Sequence, residues 1–503
     1  MALLDVFRRK SPAPQARKIQ KRYYQAGSVD RLSASWSTEV VSIDDVINRN
    51  LKTLRARSRD QYQNNDYASR FTSLLRTNIV GPNGVIIQAT VENDARYQKT
   101  AGKYDQVVND AIEMHLKNWS RRESCDVSCR LSWVEIQRLA IQTVGVDGEC
   151  ILVMDDSAPN VYGFSVRLVD ANALDVDLNV EPTANKNRIR FGIEMDAFDK
   201  PVNYYFKTRH KMSNDAFMHS GKAYDIVPAH KVLHLFITEA VGQKRGIPMM
   251  AGALFRMNML SGYEDAAITA ARVGAAKMGF FTSPDGDGYT GAGVDDDGAV
   301  ITDVAPGTFE QLPQGVDFKP YDPDYPHQMY AEFVKTCLRG ISSGLNVSYH
   351  ALSNDLEGVN YSSIRAGVLE DRETWKSLQN WFIEGLVRPV YERWLMSSIL
   401  RGAIVLPNGG TLRQSELERY YAASYQARRW AWVDPQKDTT ANVLAVQNGL
   451  KSRGEIIREQ GRDPEDVWRE LAEEQQRLTQ LGLVTTELTI GDAAAMNNGA
   501  NEP

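Results

Sequence analysis

Three groups of side chains in this 503-residue chain have types and spacings that suggest chemistry. Asp155 and Asp156 come directly after the apolar run Cys150-Ile-Leu-Val-Met154, as paired aspartates do in a two-metal nucleic-acid enzyme. That chemistry needs further carboxylates at the same point, and Ser157-Ala-Pro-Asn160 reads instead as the turn that ends a strand. Gly286-Asp-Gly288-Tyr-Thr-Gly291 has the spacing of a dinucleotide-binding loop. Its C-terminal neighbours, Gly-Ala-Gly-Val and the run Asp295, Asp296 and Asp297, cannot start the helix that would hold a pyrophosphate, and three aspartates repel one. The same aspartates do not make a calcium loop, because Thr290 stands where the turn glycine is required and the closing glutamate is missing. The third group is Cys125 and Cys129 with His115 and Cys150, and the pair His230 and His234. A structural zinc site takes four ligands, usually paired at short spacing, and Cys150 reads as core. The two histidines would share a face only in a helix, whereas Lys231–Phe236 reads as a strand. A phosphate-binding Gly-Lys-Ser/Thr string is missing. The sequence therefore predicts no catalytic residue, no metal and no cofactor. A metal-dependent nucleic-acid enzyme using Asp155 and Asp156, or Asp295–Asp297, is the alternative reading.

Composition narrows the class further. A formal net charge of −6, from 58 Lys/Arg and 64 Asp/Glu, argues against a high-affinity nucleic-acid binder. Four cysteines do not make a disulfide framework and suggest a reducing compartment. The start MALLDVFRRK lacks the charge order of a signal peptide. The longest apolar stretch, Ala266 to Phe281, is broken by Arg272 and Lys277, so a soluble chain with no membrane span is expected.

The elements that must position any site are an α+β, helix-rich set. Residues 1–41 read as a basic, flexible arm with seven Lys/Arg and one acid before Tyr23. Ser42 caps a helix through Leu54, and a second helix is expected from Asp60 to Ile79, ending at Gly81-Pro82-Asn83-Gly84. Strands are expected at Val85–Val91, Cys150–Met154, Phe164–Val169, Arg188–Met195, Val202–Lys207 and Lys231–Phe236, with helices at Tyr104–Trp119 and Trp133–Val144. From Met249 to Phe281 the pattern predicts one long Ala/Gly-rich helix, and from His327 to Leu345 another. The insertion between them, 282–326, reads as turns and short strands with ten acidic residues against Lys319. After a polar loop, Ser362–Leu400 predicts a long helix kinked near Pro389. Helices capped at Asp434-Pro435, Ser452 and Asp463-Pro464 close the fold, and 483–503 reads as a disordered tail.

At Val241-Gly-Gln-Lys-Arg-Gly-Ile-Pro248 and at Asn360-Tyr-Ser-Ser-Ile-Arg365 the chain resembles the tailed-bacteriophage portal proteins of the lambda type. Other strings fall in the same order: Arg57-Ser-Arg59, Asn64-Asn-Asp-Tyr-Ala68, Asn78-Ile-Val-Gly-Pro-Asn-Gly84, Asp147-Gly-Glu149, Phe191-Gly-Ile-Glu194, Val232-Leu-His-Leu-Phe236 and Trp432-Val-Asp434-Pro-Gln-Lys-Asp438. The resemblance spans roughly residues 40–480.

It implies a ring, typically a 12-mer, at one capsid vertex, nucleating procapsid assembly and joining head to tail. Double-stranded DNA would be packaged through it by a separate terminase large subunit and later ejected. It implies the major capsid protein, scaffold and a head-tail adaptor as further partners, assembly in the host cytoplasm and residence in the virion. In those terms 42–247 is the wing, 248–281 and 327–345 the stem helices, and 282–326 the clip. Residues 346–361 form the tunnel loop, 362–434 the long wing helix and return, and 435–482 the crown. Lys277, Lys335, Arg339 and Arg365 are then the expected DNA-channel cations. Tyr349, His350, Asn354, Asp355, Gly358 and Asn360 are the tunnel-loop residues, and Asp285, Asp287, Asp295, Asp296 and Asp297 the acidic ring of the clip. An acidic outlet denies DNA the counterion release that makes it stick.

Overall fold

Ser42 accepts the amide of Asp45 and opens α1 (Ile43–Asn64), whose stripe Ile47, Leu51, Arg55 and Ser58 is buried. The computed structural model describes residues 31, 35, 37–93, 104–183, 187–208, 223–275, 279–282, 317–320, 329–357, 361–430, 435–460 and 462–480. The expected break between Leu54 and Asp60 does not occur. α1 runs to Asn64, and α2 (Asp66–Leu75) starts where Asn65 leaves helical geometry and caps the amides of Tyr67 and Ala68. A π-turn over Arg76–Val80 comes next, and Gly81 stops it at φ +73°, as the Gly-Pro-Asn-Gly string predicts. The Gly81 carbonyl then accepts two N–H groups of Arg138.

The chain continues through β1 (Ile86–Ala89), α3 (Gln106–Trp119), the short α4 (Arg122–Cys125) and α5 (Trp133–Asp147). A reciprocal Ser132/Glu135 capping box opens α5, and Gly148 at φ +87° ends it. β2 (Glu149–Asp155) is the centre of a three-stranded antiparallel sheet, between β3 (Ser165–Val169) and a later strand. The run Arg188–Met195 is a hairpin, not one strand. β4 (Arg188–Arg190) turns into β5 (Ile193–Met195) through Phe191 and Gly192, both at positive φ. Two left-handed residues make the primed turn a hairpin prefers, with Phe in the place Asn usually takes. β6 (Pro201–Lys207) and β7 (Tyr224–Pro228), a strand the sequence does not reveal, complete a four-stranded sheet, and β8 (Val232–Phe236) returns to pair with β2. Ile151, Val153, Leu174, Ile193, Met195, Tyr204, Phe206 and Val232 fill one core shared by the two sheets.

The expected helix Met249–Phe281 is shorter than its composition suggests. α6 covers Leu254–Ala275, and Gly279–Thr282 is already a strand, β9, paired antiparallel with β10 (Asp317–Pro320). The Gly-Phe-Phe-Thr segment suits a strand better than a helix. α7 (Tyr330–Leu345) returns and ends at Asn346, φ +54°. The loop expected over 346–360 holds a helix, α8 (Tyr349–Ser353), packed on α2 and α7. α9 (Tyr361–Phe382) and α10 (Arg388–Leu400) form the long helix, joined by a π-turn at Ile383–Val387. Pro389 has no N–H and its ring collides with a regular turn before it, so the kink is taken up as this wider turn. α11 (Leu417–Tyr420) and β11 (Ala423–Gln426), which pairs with β1, bring the chain back. The last helices are α12 (Pro435–Gln447), α13 (Arg453–Glu459) and α14 (Pro464–Gln480). Ser452 and Asp463 accept the amides of Glu455 and Glu465, as their sequence positions predict.

The main core lies where α2, α3, α5, β2 and the long helix meet. Trp119 sits at its centre, 5.7 Å from Trp133 and Phe164 and 6.1 Å from Trp394 between ring centroids.

Candidate functional site

α6 and α7 are two struts of 22 and 16 residues, about 33 Å and 24 Å long. α6 turns Met257 and Leu260 into the core, and α7 turns Leu338, Ile341 and Leu345. Small residues let them approach: a Cβ added at Gly344 would lie 3.5 Å from that of Ala253, and one at Gly340 would strike the Arg256 guanidinium at 1.7 Å. Further along, Tyr263 stacks on Tyr330 at 5.8 Å and meets Phe333 edge-on at 5.0 Å. The pairing of Thr282 with Asp317 and of Gly279 with Pro320 ties the strand after α6 to the strand that precedes α7.

Along the middle turns of α7 and on the adjoining α8 segment the structure brings together six of the expected site residues, Lys335, Arg339, Tyr349, His350, Asn354 and Asp355. Lys335 Nζ lies 3.2 Å from Glu357 and 3.8 Å from Asp355. One turn on, the Arg339 guanidinium lies 5.5 Å from the centroid of the Tyr349 ring. The Tyr349 hydroxyl donates to Asp355 at 2.7 Å, and His350 Nδ1 donates to the Asp355 carbonyl at 2.8 Å, which assigns its proton to that nitrogen. The Tyr349 hydroxyl, the Glu357 amide and nearby Lys335 hold the Asp355 carboxyl below the usual carboxylate range. α8 is anchored from behind. Arg70 on α2 donates to the Ala351 carbonyl at 3.0 Å and to Asn354 Oδ1 at 2.8 Å, while Leu352 is buried. Arg365 lies on α9 with its side chain outside the described residues. Lys277, Gly358, Asn360 and the clip aspartates Asp285, Asp287, Asp295, Asp296 and Asp297 also lie outside them.

The most heavily built polar site is not legible as a site in the sequence, although its residues lie in or beside the strings that carry the family resemblance. Glu149, fully buried at the start of β2, accepts from Arg55 at 2.8 Å and from Arg245 Nε at 2.9 Å. It also accepts from the Gly246 amide at 2.9 Å and meets His234 Nε2 at 3.0 Å. Burial opposes its charge, but Arg245, Arg55 and His234 outweigh burial and keep the carboxyl well below its ordinary value. Arg245 spends its other donors on the carbonyls of Phe191, Leu174 and Ala171, and Gln243 fixes the Arg245 carbonyl at 2.9 Å. Beside it, Asp147 takes a two-pronged contact from Arg59, at 2.6 and 2.8 Å. The backbones cross here without room for a side chain. A Cβ on Gly246 would fall 2.0 Å from the Gly148 carbonyl, and one on Gly148 2.3 Å from the Ile247 carbonyl carbon. The signal in the sequence is a glutamate at the head of an apolar strand, flanked by Gly148, in a chain with an unexplained Gln-Lys-Arg-Gly string.

The residues with metal-binding or catalytic types are engaged otherwise. Asp155 caps Ser157 at 2.9 Å, and Asp156 pairs two-pronged with Arg393 at 2.6 and 2.8 Å, so this pair is a strand-end turn. Cys125 is buried, its thiol pushed up to about 12 by burial and donating to the carbonyls of Ser120 and Leu131. His115 serves Tyr162 and the Val405 amide. Among the described residues no three His, Cys, Asp or Glu side chains cluster to hold a metal, and no helix is long and apolar enough to cross a membrane.

Residues 29–379 match the family model for phage portal proteins of the lambda family. The chain belongs to that family: it is a portal protein, a structural component of the phage capsid vertex and of the virion, and not an enzyme. Among its relatives, the probable portal protein of Halomonas phage phiHAP-1 is 33% identical over 482 residues, covering 94% of this chain and 90% of that one. Portal protein B of Escherichia phage lambda is 20% identical over 500 residues, with 89% and 88% covered. A solved chain from the neck of a native gene transfer agent particle, computed with C12 symmetry, aligns at a TM-score of 0.40 and 13% identity, over 81% of this chain and 92% of that one.

Proposed function

We propose that this portal protein forms a ring of twelve copies through which double-stranded DNA is driven in by a terminase and later leaves. The observation that carries this reading is the pair of struts α6 and α7, joined at one end through β9 and β10 and at the other meeting the tethered helix α8. On this reading 248–281 and 327–345 line the channel as stem, 282–326 forms the clip, and 346–361 meets the DNA. Residues 42–247 and 362–434 form the wing, 435–482 the crown, 1–41 a basic arm and 483–503 a tail. The acidic clip, Asp285, Asp287 and Asp295–Asp297 included, keeps the outlet from binding DNA, while Lys277, Lys335, Arg339 and Arg365 are the cations facing the phosphates. The major capsid protein with its scaffold, the terminase large subunit and a head-tail adaptor are the partners, and assembly takes place in the host cytoplasm. Negative-stain microscopy and native mass measurement of the purified chain test the ring, with a central hole and twelve-fold mass expected. A monomer would overturn it. Complementation of a packaging reaction lacking its portal tests the conduit, and full-length DNA protected in capsids is the expected result.

A further inference from the structure

We propose that Glu357, next to the anchored Asp355, acts as a displaceable acidic cover over the stem cation Lys335, occupying the place that a DNA phosphate takes when DNA is in the channel. The inference rests on the conduit reading. Its content is that the cation site is self-masked when no DNA is present.

The geometry separates an anchored part from a releasable part. α8 is fixed by the buried Leu352, by two Arg70 hydrogen bonds and by its packing on α2. Its far end is Asn354, at φ +56°, a sharp change of direction that Asn tolerates better than most residues. Beyond it Asp355 is still tied to α8, by the Tyr349 hydroxyl at 2.7 Å, by His350 Nδ1 on its carbonyl at 2.8 Å and by its own amide on Ser353 Oγ at 3.2 Å, and it lies 3.8 Å from Lys335. The Glu357 side chain is held by its contact with Lys335 at 3.2 Å. The Glu357 side chain is 81% exposed, so its pairing is reached by water and ions and is weak. Leu356, between the two acids, is 63% exposed and adds no apolar anchor. Arg339, one turn on, is exposed and lies over the face of Tyr349 on the anchored α8, so it is not under the same cover. A phosphate diester offers Lys335 the anionic oxygens that Glu357 offers now, and exchanging one for the other moves the Glu357 side chain while the Asp355 contacts to α8 stay in place. The device suits a sliding ligand. Each phosphate that leaves is replaced by a tethered carboxylate, so no step requires a bare cation.

The test is fluorescence anisotropy of a short labelled DNA duplex with the full-length protein at low salt, using E357Q, K335Q and K335Q/E357Q, with E373Q as a control that removes an acid paired to Lys376 on α9 instead. Melting curves check that each variant is folded. The expected result is about two- to fivefold tighter duplex binding by E357Q, a range set by the small strength of exposed ion pairs. The gain is absent in K335Q/E357Q and in E373Q, and it fades as salt rises. Equal gains from E373Q and E357Q would reduce the effect to net charge and overturn the cover. So would a gain that survives loss of Lys335, or unchanged affinity in E357Q. If no variant binds duplex at any salt, the cover is again overturned, while ring images and packaging complementation still decide the conduit reading separately.

Discussion

Glu149 shows what one buried charge does in this fold. A carboxylate with no exposure is tolerable only because two guanidinium groups, an imidazole and a backbone amide surround it. Removing Arg245 leaves that charge unpaired, so R245A should cost about 3–5 kcal/mol in urea denaturation. R245K should recover only part of this, because an ammonium cannot reproduce the planar fork that also serves the Phe191, Leu174 and Ala171 carbonyls. The same cluster sets a pH dependence. Glu149 has a depressed pKa in the folded state, so its contribution is complete above the unfolded carboxylate value, about 4.3, and is lost as pH falls through the lower folded value. The stability gap between wild type and E149Q should therefore be widest near neutrality and narrow below about pH 4. A gap independent of pH would show that Glu149 acts by shape and not by charge.

Elements are positioned by close crossings as much as by pairing. Gly148 ends α5 and Gly246 precedes α6, and each occupies space that the other's side chain would need. G148A meets both a left-handed backbone at φ +87° and a collision with backbone atoms that cannot rotate away, so a loss of at least about 3 kcal/mol is expected. G385A offers the contrast, since its new methyl would meet the end of the Leu235 side chain. A smaller loss, partly restored by L235V, is expected in the same denaturation experiment. These crossings explain what is and is not legible in the sequence. Caps and stops are local, so Ser42, the Gly81–Gly84 string, Ser452 and Asp463 can be read where they act. The Phe191-Gly192 turn escapes because its first residue lacks the usual turn chemistry, and β7 because its side chains are half-buried to exposed, with no strong apolar alternation. α8 reads as loop because five residues are too few for a periodic pattern, and what holds it is Arg70, 281 positions away. The Glu149 cluster is present in the family strings as residues, but its convergence depends on contacts up to 97 positions apart.

At the scale of the whole molecule, the outer side of α6 is unfinished in a single copy. Phe255 is 77% exposed and Met259 58%, and Gly262 and Ala266 continue the same stripe at helical spacing. Scattered exposed apolar residues need no explanation. Here, though, an aromatic and a methionine lead a row of small residues along a strut that belongs to a portal protein. In the proposed ring this stripe would meet the neighbouring subunit, with the small residues allowing close helix approach and Phe255 and Met259 giving the contact its apolar area. Nothing in the fold of one copy depends on it, so F255D/M259D should leave circular dichroism unchanged and shift the stability of the isolated subunit by no more than about 0.5 kcal/mol. Assembly should fail instead. In sedimentation velocity the variant is expected to run as small species and the wild type as one large ring. Added salt should not rescue it, because the lost contact is apolar and not a screened charge repulsion. Full rings from the double variant would place the stripe on solvent or the channel lumen, and would require the subunit contact to be sought on α7 and α9.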